Sequence, residues 1–518
     1  MASIDRRQFL GAAGLAPWAA MAAAKPRIGL VQSSHRALAK PVSPDHPLDY
    51  ERVRDMVWKA IEYAGAPRIP AGSWVVIKPN LGFLRPQPSY CPGDITDMRV
   101  TRAVLEYAAR YSAAGRVTIA EGGSYRGVRD PAPDSSVTQR GRRVDALDYE
   151  WDPGEYPGFA GSVGGMLREM TAAYPAKKFD YVNLNDDGIR DAAGALRRIP
   201  VPAGPNGMGA FGARPDYFVT NTITRCDFLI VVPVMKIHND CGLTACLKNY
   251  VGTAPREAYA VPGRYWNVLL HGQHSVEQRI DHFIADLASF HPPDYVVVDA
   301  IRGLQYSEHA LGRPDQMIRS NLVMASRDPV AADALAAHLI GFQPWDIDYL
   351  HMGERRGMGT AKLAGADVAG DDPARLRARW GKPRNWFGRC NREWLVTAAP
   401  ETPMASWKRE TTRADTLQLA GGSGAAAVRV IADGARKAYL WVGVRGRVAA
   451  ELNGERVMEE ENLTRYRVAQ FQKPVELRSG ENRLVFRVAA PEGPARLSAL
   501  LTGERNDGDT VDGIRWEA

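Results

Sequence analysis

The densest group of polar side chains lies in the 14 residues from Lys236 to Asn249. Lysine ammonium groups attract an anion and asparagine or threonine can orient it. An imidazole titrates near neutral pH, so it can give or take a proton. We therefore expect an anion-binding site here, with His238, Lys236 and Lys248 as catalytic candidates. The candidate ligand-binding residues of the same stretch are Asn239, Thr244 and Asn249.

A second polar pair, Lys78 and Asn80, follows the apolar strand predicted at Trp74–Lys78. The stretch that begins at Lys236 also follows an apolar strand, predicted at Phe228–Pro233. Ligands of open α/β sheets bind beyond the carboxyl ends of the strands, so we expect Lys78 and Asn80 to join the same ligand site. The alternative for Lys78 is a strand-end turn with a solvated ammonium group.

Four carboxylates could either bind a metal ion or pair with the lysines: Asp97, Glu121, Asp286 and Asp299. Cys241 and Cys246 lie close to His238 in the sequence, but their spacing matches no familiar metal site. A small buried residue is the commoner role of a cysteine. The sequence contains no C-x2-C pair and so no iron–sulfur cluster motif. A metal ion could bind, and the sequence does not identify a cofactor.

Alternating strand-like and helix-like segments must position these side chains. Apolar runs predict strands at Arg27–Gln32, Trp74–Lys78, Arg116–Ala120, Phe228–Pro233, Tyr295–Ala300 and Leu322–Ala325. Helical spacing predicts helices at Tyr50–Tyr63, Val100–Tyr111, Val276–Phe290 and Val330–Ile340. Buried strands separated by helices favour an α/β fold, in which helices cover both faces of a mainly parallel sheet. Residues 122–215 are rich in Gly, Pro, Asp and Arg, which predicts long loops.

The pattern changes after residue 412. Short strands, separated by turn signals such as Asn453-Gly454, are predicted at Ala426–Ile431, Ala438–Val444, Arg447–Leu452, Val475–Leu477, Leu484–Val488 and Leu497–Leu501. This spacing predicts a C-terminal antiparallel β-sandwich of the jelly-roll type. The predicted organisation is a signal peptide at 1–24, an α/β domain at 25–360, a Trp- and Arg-rich connector at 361–412 and the β-sandwich at 413–518.

The composition excludes several classes of protein. The 518 residues are 45% hydrophobic and 24% charged, which is typical of a globular protein. The net charge of +7 is not gathered into a basic stripe with aromatic residues, so we expect no nucleic-acid partner. Beyond the N-terminus no apolar run approaches the ~20 residues of a membrane span, so we expect no transmembrane segment in the mature chain. Five cysteines are too few for a disulfide framework.

The N-terminus has the pattern of an export signal. Arg6-Arg7 and Phe9-Leu10 precede a short apolar stretch that ends in Ala22-Ala23-Ala24, which predicts a twin-arginine signal peptide. An ordinary secretion signal with two chance arginines is the alternative. We expect the twin-arginine export machinery as a partner, and a periplasmic or extracellular location. Folding before export would explain why an exported protein has few cysteines.

The motifs of residues 27–360 resemble, as a set, the family named as domain of unknown function 362. The resemblance rests on a series of short motifs: Val-Ile-Lys78-Pro-Asn80, Thr96-Asp97, Glu121-Gly, Cys226-Asp227, Lys236-Ile-His238, Gly242-Leu-Thr244, Leu-Lys248-Asn249, Ile-Ala-Asp286-Leu, Val-Asp299-Ala-Ile-Arg-Gly303 and Asp328-Pro329. It implies no particular reaction, since the family is largely uncharacterised. Many of its members carry ferredoxin-like iron–sulfur segments, and this chain has no such run of cysteines.

Two further resemblances concern the polar stretch and the C-terminus. The stretch from His238 to Lys248 is similar to the His…Gly-x-Ser…Lys stretch of the lactate racemase N-terminal domain. That similarity implies a lysine that tethers a nickel pincer cofactor and histidines that serve the chemistry. The motifs Leu452-Asn453-Gly454 and Gly480-Glu-Asn482 resemble galactose-binding-like jelly-roll modules, which implies a glycan as a further partner.

These observations predict an exported protein that binds an anionic small molecule, with a metal ion or cofactor that the sequence does not identify. We favour an enzyme, either a redox catalyst or an isomerase or lyase that acts on an acid. The alternative is a non-catalytic periplasmic protein that binds a small ligand or a glycan.

Overall fold

The computed structural model describes residues 25–82, 84, 91–122, 137–159, 161–212, 214–259, 280–384, 386–412 and 415–518. These residues form two compact units. Within the described ranges the first unit takes the residues up to 274, 280–344 and 349–384, and the second takes 345–348 and 385–518. The predicted signal peptide lies outside the described residues.

The strands of the first unit, numbered in chain order, are β1 (Arg27–Gln32), β2 (Trp74–Pro79), β3 (Arg116–Ala120), β4 (Val137–Gln139), β5 (Arg142–Val144), β6 (Lys178–Val182), β7 (Ile199–Pro200), β8 (Asp216–Tyr217), β9 (Phe228–Val232), β10 (Lys236–His238), β11 (Gly242–Thr244), β12 (Tyr295–Leu304), β13 (Met317–Ser326) and β14 (Asp367–Gly370). The α-helices of the chain are α1 (Tyr50–Ala64), α2 (Met98–Tyr111), α3 (Val163–Ala173), α4 (Asn221–Arg225), α5 (Arg256–Tyr259), α6 (Asp281–Ala288), α7 (Pro329–Leu339), α8 (Asp348–Arg355) and α9 (Pro373–Leu376). Short 3₁₀ helices lie at Leu184–Asp186, Pro205–Gly207, Lys248–Thr253, Pro344–Asp346, Leu363–Gly365 and Met404–Ser406.

Eight strands of the first unit form one sheet in the order β14-β1-β13-β12-β9-β2-β3-β6. Neighbouring strands are parallel except where β13 pairs with β1 and with β12. Every residue of β9 and β12 is buried, although successive side chains point to opposite faces, so both faces of the sheet are covered there. The predicted α/β fold with a mainly parallel sheet is confirmed.

Helix α1 shows how the apolar pattern places a helix against the sheet. Its apolar residues at helical spacing are buried, and the Asp49 side chain caps its first turn by accepting a hydrogen bond from Arg52 N–H. Gly29 of β1 allows the helix to approach closely, because a Cβ atom there would lie 2.0 Å from the Ala60 carbonyl oxygen.

Three segments differ from the sequence prediction. Strand β12 continues four residues beyond its predicted end, and β13 is longer than predicted and runs antiparallel to its neighbours. Residues 122–215, predicted as loops, contain α3 and the sheet strand β6. Both were hard to predict because α3 contains Gly164 and Gly165, and β6 is a half-buried edge strand with polar side chains. In the region predicted as a helix at Val276–Phe290, the described helix is α6; residues 276–279 lie outside the described residues.

The second unit is built of antiparallel strands, in agreement with the predicted β-sandwich. They are β15 (Glu393–Thr397), β16 (Lys408–Thr411), β17 (Leu417–Leu419), β18 (Ser423–Ala432), β19 (Arg436–Leu452), β20 (Glu455–Asn462), β21 (Phe471–Leu477), β22 (Gly480–Ala489), β23 (Ala495–Thr502) and β24 (Ile514–Glu517). Strands β15 and β16 fall inside the segment predicted as a connector, and β15 pairs with β18. The described connector residues from 386 onward are therefore part of this unit.

Strand β19 replaces two predicted strands by one of 17 residues. Its first half pairs with β21 and β23, and its second half pairs with β20 and β22, so one strand joins both layers. Gly446 lies where the pairing changes, with a φ of 126°. A Cβ atom there would meet the Ala489 carbonyl at 2.6 Å, so glycine is needed at the crossing. In neither unit does a described helix have the length and apolar character needed to cross a membrane.

Candidate functional site

A short hairpin, β10 and β11, follows β9 and carries the first residues of the polar stretch. Lys236 pairs with Thr244, and His238 pairs with Gly242. Because side chains alternate between the faces of a strand and directly paired residues point the same way, Lys236, His238 and Thr244 share one face of the hairpin. Gly242 has a φ of 79°, which lets the chain turn back tightly after His238.

The turn before Lys248 is held by a buried carboxylate of α7. Asp333 accepts hydrogen bonds from Cys246 N–H over 2.6 Å and from Leu247 N–H over 2.9 Å. Burial raises the pKa of Asp333 to about 7, although both hydrogen bonds oppose this change. Asp333 therefore fixes the backbone from which Lys248 and Asn249 project.

Lys78 belongs to a closed, buried ion pair. Its Nζ lies 2.6 Å from Glu121 Oε2, 3.1 Å from Asn249 Oδ1 and 3.2 Å from the Pro79 carbonyl oxygen. The side chains of Lys78 and Glu121 are only 1% and 4% exposed. Burial lowers the pKa of Lys78, against the attraction of Glu121. All three N–H groups of the ammonium have acceptors, so Lys78 is neither solvated nor open to a ligand, and Asn249 is part of its support.

Lys236 is also fully engaged. Its Nζ donates to Asp94 Oδ1 over 2.8 Å, to the Glu308 carbonyl over 2.6 Å and to the Asp94 carbonyl. Burial would raise the pKa of Asp94, but the charges of Lys236 and His309 outweigh it and lower that pKa. Lys236 therefore joins two loops to the hairpin and has no N–H left for a ligand.

Lys248 differs from the other two lysines. Its side chain is half-buried, and it makes no hydrogen bond or ion pair with any residue in the described part of the chain. Burial lowers its pKa; the nearby Cys241 and Glu308 oppose this change, and the charge of Lys236 adds to it. Lys248 thus offers a cation whose three donors are not used within the described structure.

His238 is a buried neutral imidazole. Its Nδ1 accepts the Asp240 N–H over 3.1 Å, so in the neutral ring the proton is on Nε2. Burial lowers the pKa of His238 well below its usual value, and the charges of Lys248 and Lys236 add to this against Glu308. Near neutral pH the ring therefore presents an Nε2–H donor rather than a base.

Three predicted ligand-binding residues have different surroundings. Asn239 is occupied, since its backbone N–H donates to Glu308 Oε2 over 2.9 Å and its side chain to Ser307 Oγ over 3.2 Å. The buried Thr244 hydroxyl has no hydrogen-bond partner among the described residues. Asn80 lies beside the end of β9, because Thr96 Oγ1 accepts its N–H and donates to the Val232 carbonyl.

Asp97 and Asp299 meet in a second buried cluster. Asp299 Oδ2 accepts the Asp97 N–H over 2.7 Å, and Asp97 forms an ion pair with Arg99 at 2.6 Å and a longer one with Arg302 at 3.5 Å. Burial would raise the pKa of Asp97, but the two arginines outweigh it and lower that pKa. Burial and the charge of Asp97 raise the pKa of Asp299 to about 7.

Asp286 is held elsewhere, in a third cluster. It accepts hydrogen bonds from Phe211 N–H, Gly212 N–H and the Tyr217 hydroxyl, and it pairs with Arg356 at 3.1 Å. Burial raises the pKa of Asp286 in spite of these partners. It therefore holds a loop and a helix together.

The four carboxylates proposed as metal ligands thus lie in three clusters, since only Asp97 and Asp299 are in contact. Glu121 pairs with Lys78, as the lysine-pairing alternative predicts. Across the ranges that the structure describes, no group of three or more His, Cys, Asp or Glu side chains could hold a metal ion.

Sequence reasoning missed Glu308, the carboxylate that faces the hairpin. Burial would raise the pKa of Glu308, but His238 and His309 outweigh it and lower that pKa to about 2. Ser307, Glu308 and His309 follow the end of β12. Polar residues just beyond the carboxyl end of a strand are candidates for a ligand site. The sequence predicts that β12 ends at Ala300, so Ser307, Glu308 and His309 were not recognised as residues near its end.

The fold and site define an α/β protein with a lysine–histidine site beyond the carboxyl end of a central strand. Residues 194–338 match the model of the family described as Domain of unknown function (DUF362). This confirms, over those residues, the resemblance that the motifs predict. The matched segment includes the hairpin, Lys248 and Glu308. No curated protein matches the chain.

Three solved structures illustrate a distant likeness to this chain. The lactate racemase apoprotein from Thermoanaerobacterium thermosaccharolyticum is 14% identical, with a TM-score of 0.24 over 48% of this chain and 49% of that one. A β-glucosidase from Kluyveromyces marxianus is 12% identical, with a TM-score of 0.17 over 22% and 16%. A family 35 carbohydrate binding module from an environmental isolate is 14% identical, with a TM-score of 0.15 over 26% and 94%. The chain thus spans about half of the racemase and a sixth of the glucosidase, and these matches carry no functional argument.

Proposed function

We propose that the first unit binds a small carboxylate anion at Lys248, beside His238. One observation carries this proposal: Lys78 and Lys236 each have three acceptors, whereas Lys248 has none among the described residues. An ammonium group that loses water without gaining a partner is unfavourable. A carboxylate ligand would supply both the missing charge and the missing hydrogen bonds.

The neighbouring groups support an anion of single charge. His238 offers an Nε2–H donor, and Thr244 has a hydroxyl without a partner in the described structure. The carboxylate of Glu308 acts on both His238 and Lys248, so it would repel a second negative charge on the ligand. The arrangement therefore favours a monocarboxylate over a dicarboxylate.

The same groups favour an isomerase or lyase that works by proton transfer. When Lys248 is a neutral amine, a form that its lowered pKa favours, His238 Nε2–H and the Thr244 hydroxyl hold the carboxylate, and the amine takes a proton from the carbon beside it. The C–H bond breaks, an N–H bond forms on Lys248, and the electron pair moves to the carboxylate oxygens. His238 Nε2–H would donate to that oxygen and stabilise the charge.

Binding can be tested by calorimetry with lactate, glycolate and pyruvate. Lys248→Met keeps the length of the side chain and removes its charge. We expect about tenfold to a hundredfold weaker binding, because a hydrogen bond to a charged group contributes about 1.5–3 kcal/mol. His238→Gln, which keeps a donor, should lose less affinity than His238→Ala. Lys362→Met, at an exposed lysine of the same unit, is the control. Unchanged affinity in Lys248→Met would refute the proposal.

Catalysis is separated from plain binding by proton exchange. Incubation of lactate and glycolate with the protein in D₂O, followed by NMR, reports deuterium at the carbon beside the carboxylate; pyruvate has no hydrogen on that carbon and is the negative control. Exchange that is lost in Lys248→Met supports the enzyme. Binding without exchange supports the alternative of a non-catalytic ligand-binding protein.

We propose that any glycan binds to the second unit, in a groove of about 590 Å³ lined by Arg447, Glu459 and Arg487. Guanidinium and carboxylate groups can form hydrogen bonds with sugar hydroxyls. The described lining contains no aromatic ring for a sugar to stack on, so we expect weak binding. A glycan array probed with the full chain and with Arg487→Ala tests this, and equal signals from both would exclude the groove.

We propose that residues 1–24 direct export by the twin-arginine machinery. The Arg6-Arg7 pair before the apolar stretch supports this. Cell fractionation should find the chain in the periplasm or medium, and Arg6→Lys with Arg7→Lys should retain it in the cytoplasm. Export of that double variant would favour an ordinary secretion signal.

A further inference from the structure

A cysteine, a histidine and an aspartate lie together at the amino ends of the central strands β9 and β12. Cys226 precedes β9, and His291 and Asp294 precede β12. Cys226 Sγ lies 3.7 Å from His291 Nδ1, and His291 Nε2 lies 3.3 Å from Asp294 Oδ2. These residues stand at the amino ends of parallel strands, whereas the hairpin follows a carboxyl end.

The surrounding backbone holds this arrangement in place. Asp294 Oδ2 also accepts the Leu229 N–H over 2.8 Å, which ties the carboxylate to β9. The Tyr250 hydroxyl donates to the His291 carbonyl over 2.6 Å. The aspartate orients the imidazole, and the imidazole faces the sulfur, which is the order of groups that activates a thiol.

We propose that His291 takes the proton of the Cys226 thiol when Cys226 reacts, and that Cys226 is a modification site for hydroperoxides. Cys226 is buried, with 6% of the residue exposed, but the His291 side chain beside its sulfur is 18% exposed, so a molecule as small as hydrogen peroxide would approach along the imidazole. Burial lowers the pKa of His291, but Cys226 and Asp294 outweigh it and raise that pKa to about 10, so the imidazole is basic enough to accept the proton of the thiol.

The reaction needs only the peroxide as oxidant. The thiolate sulfur attacks one peroxide oxygen, an S–O bond forms and the O–O bond breaks. The sulfur is oxidised to sulfenic acid by two electrons, and the peroxide is reduced. The hydroxide that leaves takes the proton of the His291 imidazolium and becomes water, so the products are a sulfenic acid, a neutral imidazole and water.

The other cysteines provide internal controls. Cys241 and Cys246 are buried, and burial raises the pKa of each thiol well above its usual value. Cys390 is buried, and Cys91 is half-buried and hence more exposed than Cys226. Exposure alone predicts that Cys91 reacts first, whereas activation by His291 predicts Cys226.

The test is a short pulse of iodoacetamide on the folded full chain at pH 7, with peptide mass spectrometry to locate the label. A parallel sample receives hydrogen peroxide and then dimedone, which traps sulfenic acid. We expect Cys226 to be labelled about tenfold faster than Cys91, since a free thiol is only a few per cent thiolate at pH 7. His291→Gln should slow Cys226 to about the rate of Cys91 and leave Cys91 unchanged, and His35→Gln is the matched control.

A second measurement does not depend on the folding of a histidine variant. In the wild-type chain unfolded in urea the arrangement with His291 is lost, so Cys226 and Cys91 should be labelled at about the same rate there, and Cys226 should be favoured only in the folded chain. Labelling of Cys91 ahead of Cys226, equal labelling of Cys226 in the wild type and in His291→Gln, or the same preference for Cys226 in the unfolded and the folded chain would each overturn the proposal.

Discussion

Replacing Lys78 and Lys248 by methionine should change stability in opposite directions. Lys78 is enclosed with Glu121, and Lys78→Met leaves that carboxylate buried without its cation. Lys248 has no partner among the described residues, so Lys248→Met removes a desolvated charge and puts apolar atoms in its place. The pair of variants separates a structural lysine from one kept for a ligand.

The structure sets the size of both effects. Breaking a buried ion pair costs about 3–5 kcal/mol. For Lys78→Met we expect about 3 kcal/mol, because Gly122 N–H at 2.7 Å and Leu81 N–H at 3.4 Å still donate to Glu121. For Lys248→Met we expect a gain of about 0.5–1 kcal/mol, limited because the side chain is only half-buried.

The assay is urea unfolding of the ligand-free protein. Unfolding is monitored by hydrogen exchange in peptides from β2 and β9, so that the stability of the first unit is measured separately. Lys59→Met is the control, since Lys59 pairs with Glu62 at 2.7 Å on the surface and should contribute at most about 1 kcal/mol. Lys78→Met with Glu121→Gln should recover part of the loss. Equal destabilisation by Lys78→Met and Lys248→Met would refute the reasoning, because both lysines would then have a partner in the protein.

Glu308 should make the first unit sensitive to acid. Its pKa is about 2, below the usual 4.5, so ionised Glu308 contributes about 3 kcal/mol to the free energy of unfolding above about pH 4.5. That contribution is lost as the pH falls towards about 2. Thermal midpoints measured against pH should show this loss in the wild type and not in Glu308→Gln. Asp299 should act in the opposite sense, because its pKa of about 7 means that the folded state retains a proton between about pH 4 and pH 7. Stability should therefore fall as the pH rises through that window, and Asp299→Asn should flatten the slope. Gly29→Ala should cost about 1–3 kcal/mol in urea unfolding, since its Cβ would lie 2.0 Å from the Ala60 carbonyl, whereas Gly209→Ala, with no atom within 4 Å, should be neutral.

The central sheet was predictable because its strands are short apolar runs. Strand β3 has the predicted bounds, and β2 and β9 differ from theirs by one residue. Half-buried edge strands such as β6 lack that signal. The sequence also did not predict that β19 is one strand that passes from one layer to the other. Gly446 is typical of a turn between two strands, but in the structure it is a bend within one strand.

The residues of the candidate site were predictable as a group, but their roles were not. The strand-end argument selected Lys78, Lys236 and Lys248 alike. Glu121 lies 43 residues from Lys78, and Asp94 lies 142 residues from Lys236, so the sequence cannot show which lysine each carboxylate neutralises. The tautomer of His238 likewise depends on a single local backbone contact, the N–H of Asp240.

The contacts of the three lysines therefore exclude Lys78 and Lys236 as ligand-binding residues and leave Lys248. Lys78 and Lys236 each use all their donors within the protein, and each is paired with a buried carboxylate. Neither can release its partner for a ligand without leaving a buried charge, which costs several kcal/mol. Lys248 has no such constraint in the described structure. An anion that reaches the hairpin gains most at Lys248, and a gain of stability in ligand-free Lys248→Met together with loss of binding would show that the charge is kept for the ligand.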